Sequence, residues 1–303
     1  MIQRPIISLR DVRKSYPPFE LGPIDLDIGP GCVVAIVGPN GSGKSTLMGM
    51  LMNLIQPTSG EIALFGGTYP EDEVAIKQKV GYAPERISGY EDLSPKYLHA
   101  LVSHFYPGWD QSLYEDLLAD VAMEPNKKFA KLSAGTQQRI IFALALSTGT
   151  ELLILDEPTT GLDHFARQRV IGDISYFLAD ERHRGRTVVF ATHHMEEVKL
   201  IANYVVFLVG GKLLGHFETD ALLEGWKVFW LDRAPEGDIP GMIELESGDP
   251  ARIVSDSPRQ TEEALRARNI RIFHSEALDL EEILSHLIRR REGRRIKSPR
   301  TGE

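Results

Sequence analysis

The stretch Gly38–Thr46, "GPNGSGKST", follows the apolar run "CVVAIVG" and opens a helical pattern. That context is the one the G-x-x-x-x-G-K-[ST] spacing needs in order to hold phosphates. Gly38, Pro39, Asn40, Gly41, Ser42 and Gly43 make a loop whose backbone N–H groups can wrap an anion. Lys44 can neutralise its terminal charge, and the Ser45 hydroxyl, with Thr46 beside it, can ligate magnesium. Farther along, "LLILDEP" ends a buried strand in two carboxylates, so Asp156 suits the outer shell of that magnesium while Glu157 can polarise water. "TVVFATHHMEE" delivers His193 to the same sheet edge, within reach of a terminal phosphate, with His194 the less suited of the two. "KLSAGTQQR" is a second anion-seeking feature: Ser133 is an N-cap residue and Gly135 opens the backbone at a helix start carrying roughly +0.5 of a charge. A better cradle already stands about ninety residues upstream, so this second one needs a different anion.

These residues require strands that end together. Short strand-like runs alternate with helical patterns over the first two-thirds of the chain, the signature of an α/β fold rich in parallel sheet. "IISLRDVRKSY", "IDLDI" and "GEIALFG" read instead as short antiparallel strands between Pro and Gly turns. A helical subdomain is expected over about residues 93 to 150, from "SPKYLHALVSHF" and "WDQSLYEDLLADVAM". We expect a first domain over residues 1–219 and an accessory domain over 220–303. In the latter "WKVFWLD", "MIELES" and "IRIFHS" are strand candidates, and helices start at Pro258 and at the Asp279/Glu282 capping pair. The face formed by Leu280, Ile283, Leu284, Leu287 and Ile288 is expected to pack on its own small domain, with a partner groove as the alternative, and the arginine-rich tail from Arg289 to be a solvated end, with anionic headgroups as the alternative.

With 303 residues and a formal charge of -9, the chain lacks the cationic footprint that gripping nucleic acid needs, and no nucleic-acid partner is expected. The single cysteine, Cys32, cannot form an intrachain disulfide and sits in an apolar run as a small hydrophobe, which fits a reducing cytosol. Charged residues stand where a signal peptide would need its apolar stretch, and no apolar run is long enough to span a bilayer. A membrane role would therefore be borrowed from a partner.

The ordered set "GPNGSGKST", "LSAGTQQR", "LLILDEP", "GLD" and "THHMEE" resembles the ATPase subunit of an ATP-binding cassette (ABC) transporter, over about residues 5 to 218. The resemblance implies a P-loop NTPase cassette: a RecA-like core with an antiparallel β subdomain and a helical subdomain, here followed by a small α+β domain. It implies ATP and Mg2+, hydrolysis with Glu157 and His193 as catalytic residues, and pairing with a second ATPase subunit, in the first instance another copy. Ser133 and Gly135 then fall on the signature residues that meet the γ-phosphate held by the opposing P-loop, which supplies the missing anion. Asp163 matches the loop crossing that interface. Tyr16 lies where the family places an aromatic on adenine, with Phe19 as its rival. Glu85 in "VGYAPER" stands where many members have a glutamine that touches magnesium and links to the membrane partner. As an ionised carboxylate it can ligate a cation but cannot donate a hydrogen bond. Ala134 and Thr136 replace the usual Gly and Gln of the signature, and the added Cβ of Ala134 limits how closely backbone approaches phosphate.

"FYPGWDQSLYEDLL", Glu85 and the C-terminal extension look most like the ABC-2 export branch. Such a subunit is cytoplasmic and peripheral on the inner face of the membrane, docked on an integral permease. An importer ATPase with a regulatory C-terminal domain is the alternative within the family. Another is a soluble cassette ATPase acting on ribosomes or DNA, but such members usually carry two cassettes or a long coiled-coil insertion. This chain has one P-loop and one signature.

Overall fold

The structure, a computed structural model, describes residues 4–122, 124–179 and 185–291. The chain divides into two compact units, the first ending at His216 and the second starting at Phe217. This division lies three residues before the expected one.

The first unit begins with the hairpin β1 (Ile7–Tyr16) and β2 (Phe19–Ile28), then β3 (Val33–Val37), whose five side chains are all buried. Helix α1 (Lys44–Leu51) follows the glycine-rich loop, and β4 (Ser59–Leu64) and β5 (Gly67–Thr68) return to the hairpin. After α2 (Glu73–Lys77) and β6 (Val80–Ala83) come the helices α3 (Pro95–Phe105), α4 (Gln111–Leu118) and α5 (Ala134–Leu146). Each of the last three starts at a capping side chain. Ser94 accepts from Tyr97 N, Asp110 from Leu113 N and Ser133 from Thr136 N, which satisfies N–H groups that a helix start leaves orphaned. The unit closes with β7 (Leu152–Asp156), α6 (His164–Ala179), β8 (Thr187–Thr192), α7 (Met195–Ile201), β9 (Tyr204–Val209) and β10 (Lys212–Glu218), whose last two residues fall to the second unit.

Two sheets result. An antiparallel one has the order β2-β1-β4-β5, and a six-stranded one the order β10-β9-β3-β8-β7-β6. In the second, β9, β3, β8, β7 and β6 run parallel. Strands covered on both faces must be apolar throughout, and "VVAIV" and "LLILD" are wholly buried. A hydrophobic core of Ile7, Leu9, Ile24, Ile36, Leu47, Ile154 and their neighbours joins the two sheets through α1, and Cys32 is half-buried against it. Parallel β3, β7 and β8 bring Val37, Asp156 and Thr192 out at the same end of the sheet, the usual ligand-binding edge of such folds.

The second unit begins with α8 (Thr219–Glu224), continues through β11 (Lys227–Leu231), β12 (Met242–Glu246), β13 (Ala251–Ser255), α9 (Pro258–Ala267) and β14 (Ile272–Ala277), and ends in α10 (Leu280–Arg291). Its antiparallel sheet has the order β12-β13-β11-β14. Strand β13 is an addition to the sequence reading, since "ARIVS" is short and follows a Pro. The capping pair at α10 is reciprocal: Asp279 accepts from Glu282 N at 2.8 Å and Glu282 from Asp279 N at 3.1 Å. On its apolar face Leu280, Ile283 and Leu284 are buried, while Leu287 and Ile288 are half-buried. The basic tail beyond Arg291 lies outside the described residues.

Candidate functional site

The loop after β3 is shaped by close approaches that admit no side chain. A Cβ on Gly38 would stand 1.9 Å from the Leu208 carbonyl oxygen. Gly43, at φ +105°, caps α1 in the left-handed region, with Leu21 and Phe19 packed where its Cβ would go. A cavity of about 630 Å³ opens over this loop. It is lined by the loop residues Asn40–Thr46 together with Phe19, Glu85, Glu157, Thr160 and His193.

Charges crowd its floor. Lys44 is 6% exposed, donates to Gly38 O at 2.8 Å, and stands 3.4 Å from Glu157 Oε1. Glu157 meets His193 Nδ1 through its other oxygen at 2.8 Å, and Thr160 Oγ1 donates to that same oxygen at 3.3 Å. The backbone of Glu157 has φ +51°, a strained conformation for a residue with a side chain and one that costs on the order of 1–3 kcal/mol. Hydrogen bonds from Glu157 N to Ala191 O at 3.0 Å and from Gln138 Nε2 to Glu157 O at 3.3 Å hold it there.

Asp156 is 3% exposed, and its Oδ1 has no hydrogen-bond partner. Burial pushes its carboxyl up to about 6; the Ser45 hydrogen bond and Lys44 oppose this, while Glu157 and Glu85 add to it. A buried, unsatisfied carboxylate oxygen beside a serine hydroxyl is a fitting donor set for a hard cation such as Mg2+. Among the described residues no three His, Cys, Asp or Glu side chains are grouped to hold a metal ion. Such an ion would therefore need further oxygens from phosphates, as Mg2+ commonly does.

The structure thus gathers Asn40–Thr46, Glu85, Glu157 and His193 into one cavity, with Asp156 buried beside it, and Gly38 and Pro39 offering carbonyls to Lys44. It separates two sets from them. Ser133, Gly135 and Asp163 line a different, open concavity of about 530 Å³ with Thr136, Gly161 and Leu162. Tyr16 is outside the cavity lining, 42% exposed with Lys14 Nζ over its ring at 5.1 Å; its cross-strand neighbour Phe19 is the aromatic at the loop. Phe19 packs on the Gly43 turn. Thr159, Thr160, Thr192 and Glu197 went unread in the sequence. Thr159 and Thr160 follow "LLILDEP" and Thr192 and Glu197 bound "THHMEE", but short polar residues at a strand end and an acid in a helix's first turn look like ordinary solvated groups.

The sequence model described as "ABC transporter" matches residues 21–160. The Nod factor export ATP-binding protein I of Cupriavidus pinatubonensis is 31% identical over 229 residues, covering 72% of this chain and 68% of that protein. The lantibiotic transport ATP-binding protein SrtF of Streptococcus pyogenes is 32% identical over 221 residues, covering 71% of this chain and 92% of that one. In fold the chain is similar to an ATP-binding subunit of an ABC transporter, with TM-score 0.63, 23% identity, and 72% and 92% of the two chains covered. It is also similar to the cassette MJ0796, a dimer bound to ADP and Pi, with TM-score 0.60, 24% identity, and 70% and 98% covered.

Proposed function

This chain belongs to the ABC transporter ATP-binding family, and from that premise we propose that it powers export through a separate membrane-spanning subunit, working as one of two paired copies on the cytoplasmic face. It binds ATP with Mg2+ and hydrolyses it. Among the described residues no helix is long and apolar enough to cross a membrane, so the passage itself falls to the partner. The names of the relatives from Cupriavidus and Streptococcus favour export.

In our reading the loop N–H groups of residues 40–45 cradle the phosphates, and Lys44 turns from Gly38 O and Glu157 to the terminal ones. Phe19 or Tyr16 covers the base. Ser45 Oγ and Asp156 would hold Mg2+, with Glu85 as a further carboxylate; the ion supplies neutralisation of the phosphate oxygens. Glu157 accepts a proton from, or orients, the attacking water. His193 meets the Glu157 carboxylate through Nδ1 and, with nucleotide bound, donates to the γ-phosphate from whichever ring nitrogen carries the N–H.

The observation that carries the two-copy reading is the separation of the cavity holding Lys44, Glu157 and His193 from the concavity holding Ser133, Gly135 and Asp163. A second copy can bring the missing half. The test mixes Lys44→Ala protein with Ser133→Arg protein. Each homodimer lacks a complete site, whereas the mixed dimer has one intact site. ATP-dependent pairing or nucleotide occlusion is expected to return in a fraction of the mixture. No recovery, with both variants folded and exchanging, overturns pairing between identical chains.

A further inference from the structure

Glu197 is buried at 1% exposure in the first turn of α7, where its neighbour Glu196 is exposed. An acid that merely complements a helix N-terminus stays in water, as Glu196 does. Burying a carboxylate is costly unless it is hydrogen-bonded, and Glu197 is bonded on both oxygens. Oε1 accepts from Thr159 Oγ1 at 2.5 Å and lies 3.6 Å from Arg167 Nε; Oε2 accepts from Thr192 Oγ1 at 2.9 Å. Thr159 and Thr192 are themselves fully buried.

Those two threonines sit on the two segments that carry the hydrolytic pair. Thr159 lies two residues after Glu157, in the turn whose Thr160 hydroxyl reaches Glu157 Oε2. Thr192 ends β8 immediately before His193, and its hydroxyl accepts from His194 N at 3.0 Å, fixing the peptide that follows His193. Glu157 and His193 meet at 2.8 Å on the cavity side, and Glu197 ties the same two segments together from within. We propose that Glu197 is a positioning residue whose carboxylate cross-links the turn after β7 to the turn after β8 and so sets the Glu157–His193 contact.

The inference rests on the reading of Glu157 and His193 as the hydrolytic pair, so its test has one readout that depends on that reading and one that does not. Glu197→Leu removes both acceptors at similar size. Glu197→Gln keeps the bridge, accepting from one threonine through its oxygen and donating to the other hydroxyl through its amide. Glu197→Leu is expected to lower ATP turnover about 10- to 100-fold, the scale of losses from a misplacement of up to about 1 Å, with nucleotide affinity within about threefold. Glu197→Gln is expected to recover most of that loss. Combined with His193→Ala, Glu197→Leu should add little, because residues acting as one unit are not additive. Additive losses, or a glutamine variant as slow as the leucine one, overturn the cross-link.

The second readout is the ring of His193 in 15N-histidine-labelled protein, assigned by its disappearance in His193→Ala. Its Nδ1 signal is expected to shift in Glu197→Leu and to remain in place in Glu197→Gln; an unmoved signal in both overturns the proposal whatever the turnover. If His193→Ala and Glu157→Gln hydrolyse ATP normally while the ring signal shifts, the hydrolytic roles fail and the positioning contact stands. Should the leucine variant not fold, Thr159→Val with Thr192→Ser is read in the same two ways, with loss expected from the first substitution and retention from the second.

Discussion

Both units set a glutamate against a histidine, and they do so under opposite conditions. In the first, Glu157 meets His193 at 2.8 Å on the wall of a cavity; the histidine is 41% exposed and the glutamate has a strained backbone. Next to it stand an unsatisfied Asp156 oxygen and an unsatisfied Ser42 hydroxyl. In the second, Glu244 lies 3.5 Å from His286 and 3.6 Å from Arg289, both glutamate and histidine side chains are about nine-tenths buried, and the Trp226 ring stacks on His286 at 5.8 Å. The charges of the second group answer one another. Those of the first leave oxygen atoms unsatisfied, which is the mark of a site arranged for something that binds.

The difference predicts what substitution does on each side, and the largest effect belongs to Glu157. If its carboxylate acts on water, Glu157→Gln should retain ATP binding and lose about 10²- to 10⁴-fold in turnover. Steady-state hydrolysis together with nucleotide titration checks this. Turnover near that of the unaltered protein would place Glu157 with Glu244, as a charge kept for packing.

A smaller effect, of opposite sign to ordinary core damage, is expected at Asp156. Its folded-state carboxyl is raised to about 6, well above the usual carboxylate range, chiefly by burial. Between its unfolded value and about pH 6 the folded protein binds more protons than the unfolded one, so stability falls as pH rises through that window and the deficit persists above it. Asp156→Asn should therefore stabilise the nucleotide-free protein by about 1–3 kcal/mol at pH 7.5, a gain that fades as the pH falls from 6 towards 4. Urea unfolding at several pH values measures it. A destabilised variant at neutral pH would show that Asp156 supports the fold rather than burdening it.

Much of this first site is legible in the sequence because its chemistry is contiguous. "GPNGSGKST" carries its own turn, anion cradle and helix start, and "LLILDEP" its strand and both acids. The parallel sheet could be inferred from strand-like runs that alternate with helical patterns. What stayed hidden depends on contacts between distant residues. Neither the packing of Phe19 on the Gly43 turn nor the interior position of Glu197 against Thr159 and Thr192 leaves a local trace. Strand β13 was missed for a related reason: five residues between a proline and a turn become a strand only because β11 and β12 flank them.

The smallest effect belongs to His286, and its sign separates a structural histidine from a catalytic one. Burial lowers its pKa, Glu244 and Glu282 act to raise it, and Arg289 and Arg252 act to lower it. A histidine whose folded pKa lies below its ordinary value of about 6.5 gives a protein whose stability rises with pH through the window between the two, and falls as the pH drops below about 6.5. Glutamine can donate to Glu244 without titrating. His286→Gln should therefore change stability at neutral pH by about 1 kcal/mol or less, flatten the decline on the acid side, and leave ATP turnover as it is. Thermal unfolding at pH 7.5 and 5.5, set beside the hydrolysis rate, reads all three. A loss of turnover without a loss of stability would mean that the second unit's Glu–His pair also serves the reaction, and the contrast between the two units would fail.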